Sequence, residues 1–258
     1  MKRIIVNIVD LRKEPNHRSE RVSQALFGTE VQELAPAGDW RLIQTPDGYR
    51  GFVEGHRIAS WNPNERDNEW KISVPIVPVQ EERTNGIITR FTLDTRFAAR
   101  PEADSLLIPL PSGVVGRIPR AAAVPAEKRM PGEELIRLGL TLVGTPYLWG
   151  GCSPFGFDCS GFIQRLFHFC FNVWLPRDTA EQREQGVPVP LDELRPGDLC
   201  FFPGHVGLYI GGGRLLHSNR HHNGISLDRL LFPPSTSYAR ELQSKLERIR
   251  RISPDSGG

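Results

Sequence analysis

Along the first 60 residues, apolar side chains come in short runs: Ile4 to Val9, Val31 to Leu34, Trp40 to Gln44 and Gly51 to Val53. Turn-forming clusters separate them at Glu14-Pro15-Asn16, Pro36-Ala37-Gly38-Asp39 and Pro46-Asp47-Gly48. Runs this short, with this punctuation, predict strands of a small all-β barrel over residues 1–60. Residues 61–74, with Asn62-Pro63-Asn64-Glu65-Arg66-Asp67-Asn68-Glu69, are polar and read as a linker. The order of strand, turn and glycine-containing strand then recurs in Thr89–Leu93, Leu106–Leu110 and Gly113–Ile118, predicting a second barrel over residues 75–124. Its prolines at 75, 78, 101, 109, 111 and 119 confine it to short or edge strands, because proline cannot donate to a ladder.

The pattern changes after the run Ala121–Gly132. Leu135, Leu138 and Leu142, with Ile136, Leu140 and Val143, have helical spacing until Gly144-Thr145-Pro146. A second helix starts near Cys159, where Phe162, Ile163, Leu166, Phe167, Phe169 and Cys170 form a wide apolar face. Three strand-like runs follow, Leu199–Phe202, His205–Ile210 and Arg214–Asn219. Helices followed by hairpin-connected strands predict an α+β domain with an antiparallel sheet over residues 125–258.

Composition narrows the function. The 258 residues carry 32 basic and 30 acidic side chains, a net charge of +2, and no basic block, so nucleic acid is not an expected partner. The apolar start Ile4–Val9 is broken by Asn7 and stopped by Asp10 with no cleavage-site pattern, so it reads as a strand rather than a signal peptide. No window approaches a membrane span. A cytoplasmic location is the expectation. The four cysteines (152, 159, 170 and 200) all lie in the C-terminal half, too few for a disulfide scaffold, and reduced thiols are expected.

One of those thiols sits at a telling place. The glycine-rich stretch Gly150-Gly151-Cys152-Ser153-Pro154-Phe155-Gly156-Phe157-Asp158 runs into the second helix with Cys159 in its first turn. Unpaired amides and the positive helix end favour an anion there, so a lowered thiol pKa and a nucleophilic role are expected. Downstream, Gly211-Gly212-Gly213 marks a hairpin. With residues 210–212 as a three-residue loop, Tyr209 would face Gly213 and His205 would face His217 directly across the ladder. The parts of a nucleophile, a base and an orienting group are then present in Cys159, His205 and His217. Gly207 would leave room for substrate. His17, His56, His168, His221 and His222 read as surface or core histidines. Without C-x-x-C spacing, no metal or other cofactor is expected.

Six motifs in one order carry a resemblance to a known family: Pro146-Tyr147-Leu148-Trp149-Gly150-Gly151, Asp158-Cys159-Ser160-Gly161-Phe162, Leu175-Pro176-Arg177-Asp178-Thr179, Leu194-Arg195-Pro196-Gly197-Asp198-Leu199, Gly204-His205-Val206-Gly207-Leu208-Tyr209 and Leu216-His217-Ser218. Over residues 130–240 the chain resembles the NlpC family of papain-like cysteine peptidases. That resemblance implies a Cys159/His205/His217 site and cleavage of bacterial peptidoglycan stem peptides. The segment Trp40–Val53 is similar to the hairpin of a bacterial SH3-like domain. The resulting expectation is a multidomain chain: two small all-β SH3-like barrels (1–60 and 75–124), a linker (61–74) and an α+β papain-like, NlpC-type catalytic domain (125–258). Such an order looks like the subgroup of γ-D-glutamyl-L-diamino acid endopeptidases acting on peptides with a free N-terminal L-Ala. The resemblance carries substrate-binding roles onto Asp158, Ser160, Tyr49 and Glu14, which would hold the substrate ammonium. Each has a plainer alternative: helix cap, first-turn filler, packed hairpin tyrosine and solvated turn charge. Arg177 and Asp178 read as pairing with each other rather than with substrate. Two other functions stay open: a secreted hydrolase of intact wall, and a catalytically silent wall-binding protein.

Overall fold

The computed structural model describes residues 2–61, 68–230 and 236–253. The chain divides into two compact units, Met1–Lys128 and Arg129–Gly258. In the first, strands β1 (Lys2–Ile4), β2 (Ile8–Arg12), β3 (Arg21–Leu26), β4 (Glu30–Ala37), β5 (Trp40–Gln44), β6 (Arg50–Glu54) and β7 (Ile58–Ala59) form one sheet in the order β3-β2-β6-β5-β4-β1-β7. Alternation explains its inside: Val9 and Leu11 on β2, Ile43 on β5 and Val53 on β6 all point into one core. The β5–β6 hairpin turns at Asp47-Gly48, with Gly48 at φ +81 and its N–H donated to Thr45 O at 2.9 Å.

Seven more strands follow: β8 (Asn68–Ile72), β9 (Ile76–Glu81), β10 (Ile87–Thr92), β11 (Arg96–Glu102), β12 (Ser105–Pro109), β13 (Val115–Pro119) and β14 (Ala123–Pro125). Their order, β10-β9-β13-β12-β11-β8-β14, repeats that of the first sheet strand for strand. Its core, with Val77, Val79, Phe91, Phe97, Leu106 and Ile108, also takes in Phe27, whose ring stacks on Phe91 at 4.8 Å. The expected linker is corrected in part. Asn68–Ile72 is β8, paired with β11 and β14, because Trp70 and Ile72 bury into this core; residues 62–67 lie outside the described residues.

The second unit has four helices among its described residues: α1 (Gly132–Thr141), α2 (Cys159–Phe171), α3 (Thr179–Gln182) and α4 (Ser237–Ser244). A two-stranded ribbon, β15 (Cys152–Ser153) with β16 (Gly156–Phe157), leads into α2. A six-stranded antiparallel sheet of β17 (Val187–Pro188), β18 (Leu199–Phe202), β19 (His205–Tyr209), β20 (Arg214–Asn219), β21 (Gly224–Arg229) and β22 (Arg248–Arg251) has the order β17-β22-β18-β19-β20-β21. Of the two apolar stripes read on α1, Leu135, Leu138 and Leu142 are buried while Leu140 and Val143 face out. Every residue of α2 is buried, so its polar side chains find partners inside. Gln164 donates to Leu175 O at 2.8 Å, Arg165 to Cys152 O at 3.1 Å, and His168 stacks on Trp174 at 3.7 Å. No helix among the described residues is long and apolar enough to cross a membrane.

Candidate active site

The nucleophile candidate is placed by a cap. Asp158, in extended conformation, accepts the Gly161 N–H at 2.7 Å and the Gly150 N–H at 2.9 Å, tying the glycine turn to the start of α2. Gly161 allows that approach, since a Cβ there would lie 2.3 Å from Gly151 O. Cys159 is therefore the first residue of α2, with its thiol 3.8 Å from Thr179 Oγ1.

The expected depression of the thiol pKa is overturned. Burial pushes the Cys159 thiol up, the Asp158 charge pushes it further, and hydrogen bonding to Thr179 and to the Val206 and Ser160 amides only partly opposes them. The helix end is present, but the carboxylate that caps it sits next to the sulfur and offsets it.

Both histidines are on one face of the sheet, as the alternation predicts, but the register differs from the expected one. Leu208 pairs with Leu216 and Tyr209 with Leu215, and the Ile210 N–H donates to Arg214 O at 3.0 Å. The three-residue loop is Gly211-Gly212-Gly213 rather than residues 210–212, and all three glycines have positive φ, which glycine adopts without a Cβ penalty. That one-residue shift moves the pairing by two, preserving the face and making His205 and His217 diagonal neighbours. Their rings meet, with His205 Nε2 2.7 Å from His217 Nδ1. Gly207 does not open space for substrate: a Cβ there would meet the Leu215 side chain at 2.8 Å.

Burial and the neighbouring His217 lower the His205 pKa to about 3. The His217 pKa is also lowered, burial outweighing the hydrogen bond from its Nε2 to Asp228 Oδ2 at 2.9 Å. The resting site thus pairs a neutral thiol with a neutral imidazole. The Val206 amide, next to His205 on β19, reaches the Cys159 sulfur, which sets the sulfur beside that strand. The sulfur and the His205 ring are not hydrogen-bonded to each other, Sγ having Thr179 as side-chain partner and the ring having His217.

Asp228 is a site residue that the sequence reading missed. It lies on β21 opposite Leu215, one diagonal from His217, and the Asn223-Gly224 turn that starts this strand was the available signal. His222, set aside from sequence, also reaches it: His222 Nε2 is 3.1 Å from Asp228 Oδ2. His221 stacks on Tyr238 at 4.0 Å.

The remaining candidates are distributed as follows. Arg177 forms a buried ion pair with Asp158, Nη2 to Oδ2 at 2.5 Å, donates to Ser160 Oγ at 3.0 Å, and also feels the Asp178 charge. Asp178 is the residue before α3. Asp158 and Ser160 are 6% and 5% exposed, so a ligand at that carboxylate would share it with Arg177 and two backbone amides. Tyr49 packs on the core of its own barrel, and exposed Glu14 donates its backbone N–H to Ser19 Oγ at 2.8 Å. Arg220 lies over the rings of Tyr147 and Trp149 at 5.6 and 5.2 Å, and burial followed by the nearby Cys159 thiol raises the Tyr147 pKa. Among the described residues no three His, Cys, Asp or Glu side chains are grouped to hold a metal.

Comparison with known proteins identifies relatives of the chain. Residues 144–243 match the NlpC/P60 family and residues 11–58 match the bacterial dipeptidyl-peptidase SH3 domain. A γ-D-glutamyl-L-lysine dipeptidyl-peptidase of Bacillus subtilis (strain 168) is 33% identical over 242 residues, 85% of this chain and 78% of the relative. Dipeptidyl-peptidase 6 of Lysinibacillus sphaericus is 27% identical over 248 residues, 88% of this chain and 90% of the relative. The crystal structure of an NlpC/P60 family protein from Bacillus cereus ATCC 10987 superposes with a TM-score of 0.83 at 23% identity, covering 98% of this chain and 99% of the other, a likeness of fold.

Proposed function

The chain belongs to the NlpC/P60 family and is a cysteine peptidase, and from that premise we propose that it cuts the γ-D-Glu to L-diamino acid bond of peptidoglycan stem peptides bearing a free N-terminal L-Ala. The diamino acid would be L-Lys or meso-diaminopimelate, and the role recycling of freed wall peptides. The observation that carries the proposal is the span of the likeness. The B. subtilis relative aligns over 85% of this chain, more than the catalytic unit alone could supply. We infer in addition that residues 75–124 form a second SH3-like barrel, on the repeated strand order.

In this reading Cys159 Sγ attacks the γ-carbonyl carbon while its proton passes to His205. Because thiol and imidazole both rest neutral, the proton transfer accompanies the attack instead of preceding it. The Cys159 amide, at the start of α2, receives the developing oxyanion. His205 then gives its proton to the departing amine, leaving a γ-glutamyl thioester. Water, deprotonated by the same ring, hydrolyses that thioester and restores the thiol. His217 holds the His205 ring through the 2.7 Å contact. Asp158, Ser160, Tyr49 and Glu14 are proposed to recognise the substrate ammonium, a buried cation that needs anionic or hydroxyl partners.

Mass spectrometry of products from four substrates tests the proposal: L-Ala-γ-D-Glu-L-Lys, its meso-diaminopimelate counterpart, the N-acetylated tripeptide and intact sacculi. Release of L-Ala-D-Glu from the free-amine peptides, with the N-acetyl form cut far more slowly, is the expected result. Cleavage of sacculi alone would replace it with a wall hydrolase, and cleavage of none with a silent binding protein.

A further inference from the structure

We propose that Asp228 is a positioning residue of the peptidase site, fixing the proton positions of both histidines so that His205 keeps Nδ1 free to accept the Cys159 proton. The proposal deepens the peptidase reading and rests on it. Asp228 is 3% exposed, and its Oδ2 lies 2.9 Å from His217 Nε2 and 3.1 Å from His222 Nε2, with Oδ1 3.3 Å from His222 Nε2. An ionised carboxylate can only accept, so His217 must carry its hydrogen on Nε2. A neutral imidazole has one N–H, which leaves His217 Nδ1 as an acceptor. The 2.7 Å contact then requires His205 Nε2 to be the donor and its Nδ1 to be bare. The opposite order would set the lone pair of His217 Nε2 against the carboxylate at 2.9 Å.

Burial alone would raise the Asp228 pKa, but hydrogen bonds from His217 and His222 help hold it below the usual carboxylate range, so the acceptor stays charged. The groups around it are consistent with an anion. His221 and His222 are on the chain before β21, and Tyr238, from α4, has its pKa pushed up to about 12 by burial and then by the Asp228 charge. Glu241 on the same helix is ion-paired with Lys245 at 2.6 Å. During attack the thiol proton moves to His205 Nδ1, Nε2–H stays on the ring and donates to His217, and neither His217 nor Asp228 changes protonation. The carboxylate thus acts two rings away from the sulfur, by setting tautomers and stabilising the imidazolium that forms.

Two measurements test this on the full chain. Imidazole 15N chemical shifts of the wild-type protein at pH 7 should show both His205 and His217 protonated at Nε2; a His217 ring protonated at Nδ1 would overturn the proposal whatever the substrate proves to be. In parallel, iodoacetamide labelling of Cys159 and tripeptide cleavage are followed from pH 5 to 9 in Asp228→Ala and Asp228→Glu. Alanine should lower both rates about a hundredfold or more, with KM nearly unchanged, and shift the pH profile of labelling, whereas glutamate should recover most of the loss. Alanine rates within twofold of wild type, with the same pH profile, would also overturn it. Labelling needs no substrate, so a wrong substrate reading would silence cleavage alone and leave this test intact.

Discussion

Replacing His205 by glutamine should make the catalytic unit less sensitive to acid. With a folded pKa of about 3 and an ordinary value of 6.5 in the unfolded chain, the ring is neutral in both states at pH 7 and above. Below pH 6.5 the unfolded chain takes up a proton that the folded chain refuses, so stability falls with falling pH, down to about pH 3. At pH 5 the gap corresponds to about 2 kcal/mol, with about 1 kcal/mol as the floor once solvent reaching the partly exposed ring is allowed for. Carboxylates with ordinary values remain largely ionised at pH 5, which keeps their contribution small in this window. The assay is urea unfolding at pH 7 and pH 5, read by hydrogen exchange of the buried α2 amides so that the transition belongs to this unit. Wild type should lose about 1–2 kcal/mol more than His205→Gln between the two pH values. Equal losses would refute the claim that the resting ring is held neutral, and with it the neutral thiol–imidazole pair.

Other consequences follow from the same packing. Iodoacetamide should label Cys159 before the other three thiols, since it is 8% exposed against 1% for Cys152 and 0% for Cys170 and Cys200; peptide mapping would show it, and equal labelling of all four would contradict it. Gly161→Ala should destabilise the unit by about 1–3 kcal/mol in a thermal melt, because its methyl group would meet Gly151 O. Arg177→Met should cost about 3–5 kcal/mol by leaving Asp158 charged and buried, and adding Asp158→Asn should recover part of that loss in a double-mutant cycle. Tyr49→Phe and Glu14→Gln should each raise KM for the free-amine tripeptide while leaving the slow cleavage of its N-acetyl form unchanged; an unaltered KM would remove that residue from ammonium recognition.

The parts of the site legible in the sequence were those set by local periodicity. Cys159 at a helix start follows from the glycine turn and the apolar spacing after it, and the shared face of His205 and His217 follows from strand alternation across an odd loop. Their direct opposition did not survive, because which of four adjacent residues, Ile210 to Gly213, makes the loop depends on backbone conformation that composition leaves open. The raised thiol pKa was not legible because burial disfavours the thiolate and the aspartate that caps the helix repels it further, neither of which spacing reveals. The contact of Arg177 with Asp158, 19 residues back, was not legible either, since only the packed structure brings the α3 approach against the start of α2. Asp228 was hidden for a simpler reason. Gly224–Arg229 alternates modestly, and its strand character becomes evident only from pairing with β20.

The central claim is that sulfur at position 159 forms the bond to substrate. Wild type and Cys159→Ala are to be compared on L-Ala-γ-D-Glu-L-Lys at equal folded concentration, with products identified by mass. Wild type should release L-Ala-D-Glu and lysine while the alanine variant, with an unchanged melting curve, leaves the tripeptide whole. Turnover by that variant at a rate near wild type would contradict the account.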